Sequence, residues 1–201
     1  MSSNARPPSQ MEIAVVGSAP TRPSSAAERF GTAHATEDAR LVAQASAGDE
    51  SAFARLYERY ARMVHGILLA RVGRADAEDL VQEVFFAAWH RLKALRDPAA
   101  FGGWLATIAR NRATDHHRRG NDYEELPAHL QARDATAART EALVVLKIIR
   151  SLPEAYRETL VLRLVEGMTG PEIAERTGLT AASVRVNLHR GMKLLREKLD
   201  A

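Results

Sequence analysis

The spacing of the apolar residues constrains the fold more than any other feature of the sequence. Along two stretches, from about residue 38 to residue 119 and from about residue 139 onward, apolar side chains recur three and four positions apart, as at Leu41, Val42 and Ala45. That spacing lines one face of an α-helix, whereas a strand would alternate. Aromatic residues, which favour strands, make up only 5% of the chain. We therefore predict an all-α protein.

Two segments lack this period and divide the chain. Residues 1–36 carry four prolines among many Ser, Ala and Thr residues, which predicts a disordered tail. Residues 120–138 contain Pro127 and are net acidic, which predicts a flexible linker. The remaining parts, 37–119 and 139–201, are expected to form two small helical domains.

Local signals predict several helix boundaries. The apolar pattern breaks at residues 72–74, and Asp97 followed by proline resembles a cap that starts a new helix. Ser151 and Thr169 each precede a proline and a glutamate three positions later, which predicts two capping boxes. Thr180 is expected to cap a last helix that ends near residue 199.

The segment 171–190 is typical of a helix-turn-helix. A short helix leads through Gly178 to a second helix, which would enter a DNA major groove. The polar residues of that second helix suit base edges and phosphates. They are Ser183, Arg185, Asn187, His189, Arg190 and Lys193. An ordinary helical hairpin with a solvated basic face is the alternative interpretation.

A second basic cluster occupies residues 110–119. Asn111, Asp115 and Arg118 share one helical face, where an amide, a carboxylate and a guanidinium group suit base edges. Arg112 and Arg119 suit phosphates. The alternative is a solvated helix end, where basic side chains are favoured by the helix dipole.

The segment 76–86 combines acids with an aromatic residue outside its apolar stripe. The residues of this face are Asp79, Gln82, Glu83, Phe86 and His90. An aromatic side chain within a charged rim suits a docking surface for another protein. A solvated face with one exposed Phe explains the pattern equally well.

The sequence offers no catalytic site. It contains no cysteine, no glycine-rich phosphate loop and no nucleophile with its base. His116 and His117 point about 100° apart on a helix, which argues against a metal site with His129. We expect no cofactor, no metal and no enzyme activity. No apolar run approaches the ~20 residues that span a bilayer, so we expect a cytoplasmic protein without membrane insertion.

Three motifs in this order resemble the extracytoplasmic-function sigma factors of bacterial RNA polymerase. They are AEDLVQEVFFAAW at 77–89, FGGWLATIARNRATDHHRR at 101–119, and a block from SLPEAYRETL to KLLREKL at 151–199. The resemblance implies a first domain like sigma domain two and a second like the helix-turn-helix of sigma domain four. It also implies promoter-specific initiation by an alternative factor that responds to stress or another signal.

The same resemblance implies roles for the three surfaces. Asp79, Gln82, Glu83 and Phe86 would dock on the β′ clamp helices of core polymerase. Asn111, Asp115, Arg118 and Arg119 would recognise the minus-ten element, and Ser183, Arg185, His189 and Arg190 the minus-thirty-five element. The second domain would also contact the β flap. Asn187 and Met192 depart from the basic residues common in the family.

Two questions stay open at this point. Whether an anti-sigma protein holds the chain inactive does not follow from the resemblance. A free-standing helix-turn-helix regulator would explain the last third of the chain, but it would leave the acidic face and the cluster at 110–119 without a role.

Overall fold

The structure, a computed structural model, describes residues 26–120 and 137–200, with side chains from 35 to 119 and from 142 to 200. This described part contains eight α-helices, which confirms the all-α prediction. They are α1 (Ala26–Ser46), α2 (Glu50–Leu69), α3 (Arg74–Arg91), α4 (Phe101–Gly120), α5 (Ala137–Arg150), α6 (Glu154–Leu164), α7 (Gly170–Thr177) and α8 (Ala181–Leu199). We call α1–α4 the first unit and α5–α8 the second unit.

The start of the first unit differs from the prediction. α1 begins at Ala26, inside the segment 1–36 that was expected to be a disordered tail. The last proline of that segment is Pro23, and the helix formers Ala26, Ala27 and Glu28 follow it soon after. Residues 1–25 lie outside the described part.

The apolar pattern also concealed a turn between α1 and α2. Gly48 adopts a φ of 104°, a left-handed conformation that glycine tolerates without steric cost. The Asp49 side chain then caps α2 by accepting hydrogen bonds from the backbone N–H groups of Ser51 and Ala52, at 2.9 and 3.1 Å. The chain reverses here, so α1 packs against α2.

Most of the predicted helix boundaries are confirmed, and one predicted cap is wrong. The Thr169 capping box is present, and Thr180 caps α8 by accepting a hydrogen bond from the backbone N–H of Ser183 at 3.1 Å. Ser151, by contrast, donates its hydroxyl to the Ile148 carbonyl oxygen at 2.7 Å. α6 therefore starts after Pro153 without a side-chain cap.

The buried apolar side chains form one connected core that runs through both units. α2 packs against α1, α3 and α4, and α6 packs against α8. In addition, α2 contacts α6 and α7, and α4 contacts α7, so the two units lie against each other. Most of the predicted linker, residues 121–136, lies outside the described residues. None of the helices described is both long and apolar enough to cross a membrane.

Candidate nucleic-acid interface

α3 presents two faces of different chemistry. Its core face carries Leu80 and Val84, and both side chains are buried. The opposite face exposes Asp79, Gln82 and Glu83 together with Phe86, whose exposed fraction is 68%. The Phe86 ring meets the imidazole of His90 edge-on, with centroids 4.4 Å apart. The four predicted docking residues therefore share one solvent-facing surface, which we call the acidic face.

The basic end of α4 lies beside the acidic face. Asn111, Asp115, Arg118 and Arg119 are exposed. Arg112 is half-buried, and its Nη1 lies 3.6 Å from a carboxylate oxygen of Glu83. The guanidinium group predicted to suit phosphate thus pairs with the acidic face here. A phosphate at Arg112 would compete with Glu83 for the same cation.

Arg110, in the same basic run, points to the second unit. Its guanidinium group donates to both carboxylate oxygens of Glu158, at 2.7 and 3.0 Å. Sequence reasoning did not single out this residue, because its partner lies 48 positions away. The structure therefore assigns Arg110 to the contact between the units rather than to the exposed basic end.

The histidines of α4 have protein partners. The imidazole of His117 lies within hydrogen-bond distance, 2.9 Å, of the Arg71 carbonyl oxygen, and His116 lies 3.8 Å from Asp76. His129 is outside the described residues. Within the described ranges, no group of three or more His, Asp or Glu side chains is arranged to hold a metal ion.

α7 and α8 form the helix-turn-helix. Gly178, with a φ of 74°, ends α7 in the left-handed conformation, as its place in the sequence indicated. Val184 and Leu195 anchor α8 in the core. The outward residues are Ser183, Arg185, His189, Arg190 and Lys193, which are exposed, and Asn187, which is half-buried. The first turns of α8 are thus accessible, as a recognition helix requires.

Comparison with known proteins identifies the family. The Sigma-70 region 2 family matches residues 56–122, and the Sigma-70, region 4 family matches residues 142–195. The ECF RNA polymerase sigma-E factor of Haemophilus influenzae is 31% identical over 180 residues, which cover 81% of this chain and 95% of that protein. The chain belongs to the ECF sigma factors of bacterial RNA polymerase.

Other sigma factors agree with this assignment. RNA polymerase sigma factor CnrH of Cupriavidus metallidurans is 31% identical over 189 residues, covering 82% of this sigma factor and 95% of CnrH. A solved structure of CnrH in complex with the cytosolic domain of CnrY matches with 30% identity and a TM-score of 0.59, over 82% of this chain and 97% of that chain. The structure of the sigma factor RpoE from Bartonella quintana was solved with the anti-sigma factor NepR. The match to it covers 74% of this chain and 97% of the RpoE chain. At 19% identity and a TM-score of 0.50, it shows a shared fold.

The family match spans all three candidate surfaces. The region 2 match includes the acidic face on α3 and the basic end of α4, and the region 4 match includes α7 and most of α8. This sigma factor therefore directs transcription initiation as an alternative factor, and it binds DNA through its helix-turn-helix. The alternative of a free-standing regulator fails, because such a protein would not contain a sigma region 2.

Proposed function

We propose that three surfaces of this sigma factor divide the work of initiation. The acidic face docks on the β′ clamp helices of core RNA polymerase, the basic end of α4 recognises the minus-ten element, and α8 reads the minus-thirty-five element. The parts 37–119 and 139–201 act as its two domains, and the second also contacts the β flap. The sigma factor catalyses nothing itself and works in the cytoplasm beside polymerase.

The geometry of α8 carries this proposal. Val184 faces the core, and Arg185, His189 and Arg190 are exposed on the same helix. Arginine can donate two hydrogen bonds to the O6 and N7 atoms of guanine, a contact worth about 1–3 kcal/mol of discrimination. A rigid helix, capped by Thr180 at its start, presents these donors at fixed spacing.

The basic end of α4 supports a role at the minus-ten element. Asn111, Asp115 and Arg118 are exposed on one side of the helix. Amide and carboxylate groups can pair with the edges of bases once these are unstacked, and Arg119 suits the neighbouring phosphate. Arg112 reaches phosphate only when it leaves Glu83.

The acidic face supports docking on polymerase. Phe86 is exposed and lies outside the core, so its apolar ring is available to another protein that could cover it. Asp79 and Glu83 are exposed on the same face of α3 and give it negative charge. Such a surface suits a basic partner that also offers an apolar pocket.

An anti-sigma protein is a further proposed partner. The relative RpoE from Bartonella quintana was solved with the anti-sigma factor NepR, and CnrH was solved with the cytosolic domain of CnrY. A protein of this class would bind the sigma factor before polymerase does and hold it inactive. Co-purification of the native chain, followed by mass spectrometry, would identify it.

Run-off transcription tests the proposal. The template is the DNA upstream of the sigma factor's own coding sequence, since members of the family often transcribe their own promoters. We expect Arg185→Ala to reduce transcription roughly 5- to 150-fold, the equivalent of about 1–3 kcal/mol for a lost base contact. The matched control is Arg55→Ala, an exposed arginine of α2. Equal transcription from the two variants would contradict the role of α8.

A further inference from the structure

One side of α8 holds the helix against the rest of the second unit. Val184 and Leu195 are buried and belong to the apolar core. A Cβ atom on Gly170, at the start of α7, would lie 4.0 Å from a side-chain carbon of Val184 and from one of Leu188. These apolar residues of α8 are therefore committed to packing inside the protein.

Val186, two residues after Val184, points the other way. At about 100° per residue, it lies about 200° around the helix from Val184, which is nearly opposite the core. It is 41% exposed and lies outside the core of the described residues. The centre of the outward face of the recognition helix is therefore occupied by an apolar side chain.

The neighbours of Val186 on this face are small or polar. Residues three and four positions away lie beside it on a helix. Ala182 and Ser183 come before it at this spacing, and His189 and Arg190 come after it. All four are exposed. The outward face thus combines a small apolar centre with a hydroxyl, an imidazole and a guanidinium group around it.

The stability of α8 does not explain a valine at this position. Valine is a poorer helix former than alanine, because its branched Cβ restricts the side-chain rotamers in a helix. An exposed side chain also gains little from packing within the protein. Alanine, which stands at the neighbouring positions 181 and 182, would stabilise the helix better. A contact outside the protein gives Val186 a role that the fold does not.

The DNA major groove offers one apolar group that distinguishes a base. Thymine carries its C5-methyl group there, whereas the other distinguishing groups are hydrogen-bond donors and acceptors. A valine side chain cannot pair with those donors and acceptors, and covering them without a partner costs free energy. It can cover the methyl group, because that contact removes apolar surface of both partners from water. The base that suits Val186 is therefore thymine.

We propose that Val186 is a specificity-determining residue, whose methyl groups contact the C5-methyl group of a thymine in the minus-thirty-five element. The inference rests on the proposed function, because it requires α8 to lie in the major groove of that element. Arg185 and Arg190 are exposed on the same helix and supply positive charge complementary to the DNA backbone. Charge alone does not distinguish bases, whereas the methyl contact does.

Transcription from a promoter library tests the contact. The library randomises the minus-thirty-five region of the run-off template, and holoenzyme assembled from core polymerase and the full-length chain transcribes it. We expect the parent to prefer thymine at one position roughly fourfold, the effect of about one buried methyl group. Val186→Ala should lose most of this preference and keep the preferences at other positions. Val165→Ala, which changes another exposed valine of the second unit, is the matched control.

Removal of the methyl group from the DNA tests the same contact from the other side. Deoxyuridine in place of the selected thymine deletes the C5-methyl group and keeps the pairing with adenine. Transcription by the parent should fall roughly fourfold. Transcription by Val186→Ala should change little, because the contact is already lost, so the two changes should not be additive. Deoxyuridine at a thymine outside both promoter elements is the control for the DNA.

The outcomes separate the thymine contact from the proposed function. An unchanged thymine preference in Val186→Ala, an equal loss from deoxyuridine in both proteins, or a uniform loss across the library would overturn the contact. Alanine favours helix at this exposed position, so the variant should fold, which its melting temperature checks. If Arg185→Ala impairs transcription but deoxyuridine leaves the parent unaffected, only the thymine contact fails. If the parent prefers no base anywhere in the element, the proposed role of α8 fails as well.

Discussion

Two consecutive phenylalanines of α3 have opposite environments. Phe85 is buried, and its ring centroid lies 4.5 Å from that of Tyr57 and 6.3 Å from that of Phe53. Phe86 is exposed. At about 100° per residue, the buried residues Val84, Phe85, Ala87 and Ala88 form one arc of α3, and Phe86 lies opposite the centre of that arc, so the core leaves it outside. Residue type alone would not predict that one phenylalanine is buried and the other exposed, whereas the helical period does.

The two faces of α3 should therefore respond differently to truncation. Val84→Ala removes buried methyl groups and should destabilise the sigma factor by about 1–3 kcal/mol, seen as a lower melting temperature. Phe86→Ala should change the free energy of unfolding by no more than about 0.5 kcal/mol, because the ring is exposed.

Binding to core polymerase should respond in the opposite way, with Phe86→Ala more damaging than Val84→Ala. In a pull-down at a temperature where both variants are folded, Phe86→Ala should lose binding and Val84→Ala should retain it. Tyr57→Ala is an instructive control, because Tyr57 is also a partly exposed aromatic but lies outside the acidic face. Binding of Phe86→Ala at the level of the parent would refute the docking role.

Among the elements, the helix-turn-helix depends most on local sequence. Thr169 accepts a hydrogen bond from the backbone N–H of Glu172, and the Glu172 carboxylate accepts one from the backbone N–H of Thr169 at 2.8 Å. The hydrogen bonds that the Thr169 backbone N–H and the Thr169 hydroxyl donate to this carboxylate lower the pKa of Glu172. They start α7 at a defined residue, and Gly178 then ends it three residues before α8.

Loss of this cap should destabilise the second unit. Thr169→Ala removes one half of the capping box and should cost roughly 0.5–2 kcal/mol, measured by urea denaturation. Thr107→Ala is the control, because the Thr107 hydroxyl donates to the Gly103 carbonyl oxygen within α4 and alanine favours helix. Equal stability of the two variants would show that the box contributes nothing.

The exposed side of α4 should matter for opening DNA more than for binding polymerase. Asn111→Ala and Asp115→Ala should reduce permanganate reactivity of thymines in the minus-ten region and leave the pull-down with polymerase unchanged. Glu58→Ala, an exposed residue of α2, serves as the control. Normal permanganate reactivity in both α4 variants would contradict the role of α4 in opening DNA.

At the scale of the whole molecule, the contact between the two units makes stability depend on pH. Burial alone would raise the pKa of Glu158, but hydrogen bonds and charge from Arg110 and Arg71 outweigh burial, so the folded protein binds this proton less readily than the unfolded chain does. The contribution of this group to stability is complete above its ordinary pKa of 4.5 and is lost as the pH falls through the lowered value. The facing groups are Arg110 on α4 and Arg71 after α2, and Arg71 also lies 3.5 Å from Glu154.

The melting temperature should therefore fall as the solution is acidified below about pH 4.5. Glu37, Asp49 and Glu172 also have lowered pKa values, and their protonation weakens contacts inside each unit. The comparison of the parent with Glu158→Gln isolates the Glu158 carboxylate, because only the parent has that carboxylate to protonate. Parallel acid profiles for the two proteins would contradict the linkage.

Features that depend on near neighbours in the chain were predictable from the sequence. The helical class, the breaks before α3 and α7, the caps at Thr169 and Thr180, and the exposure of Phe86 all follow from spacing over a few residues. The turn at Gly48 was missed because the apolar stripe continues on both sides of it. The roles of the surfaces came from resemblance to a family, since exposure alone does not name a partner.

Only the tertiary structure decided which charged residues face one another across the units. Arg110 stands in the same basic run as Arg112, yet one pairs with Glu158 of the other unit and the other with Glu83. Nothing in the local sequence separates them, because an ion pair depends on distance in space, and 48 residues separate Arg110 from Glu158. Helix periodicity determines which side of a helix is apolar, whereas the packing of whole helices determines which charges become partners.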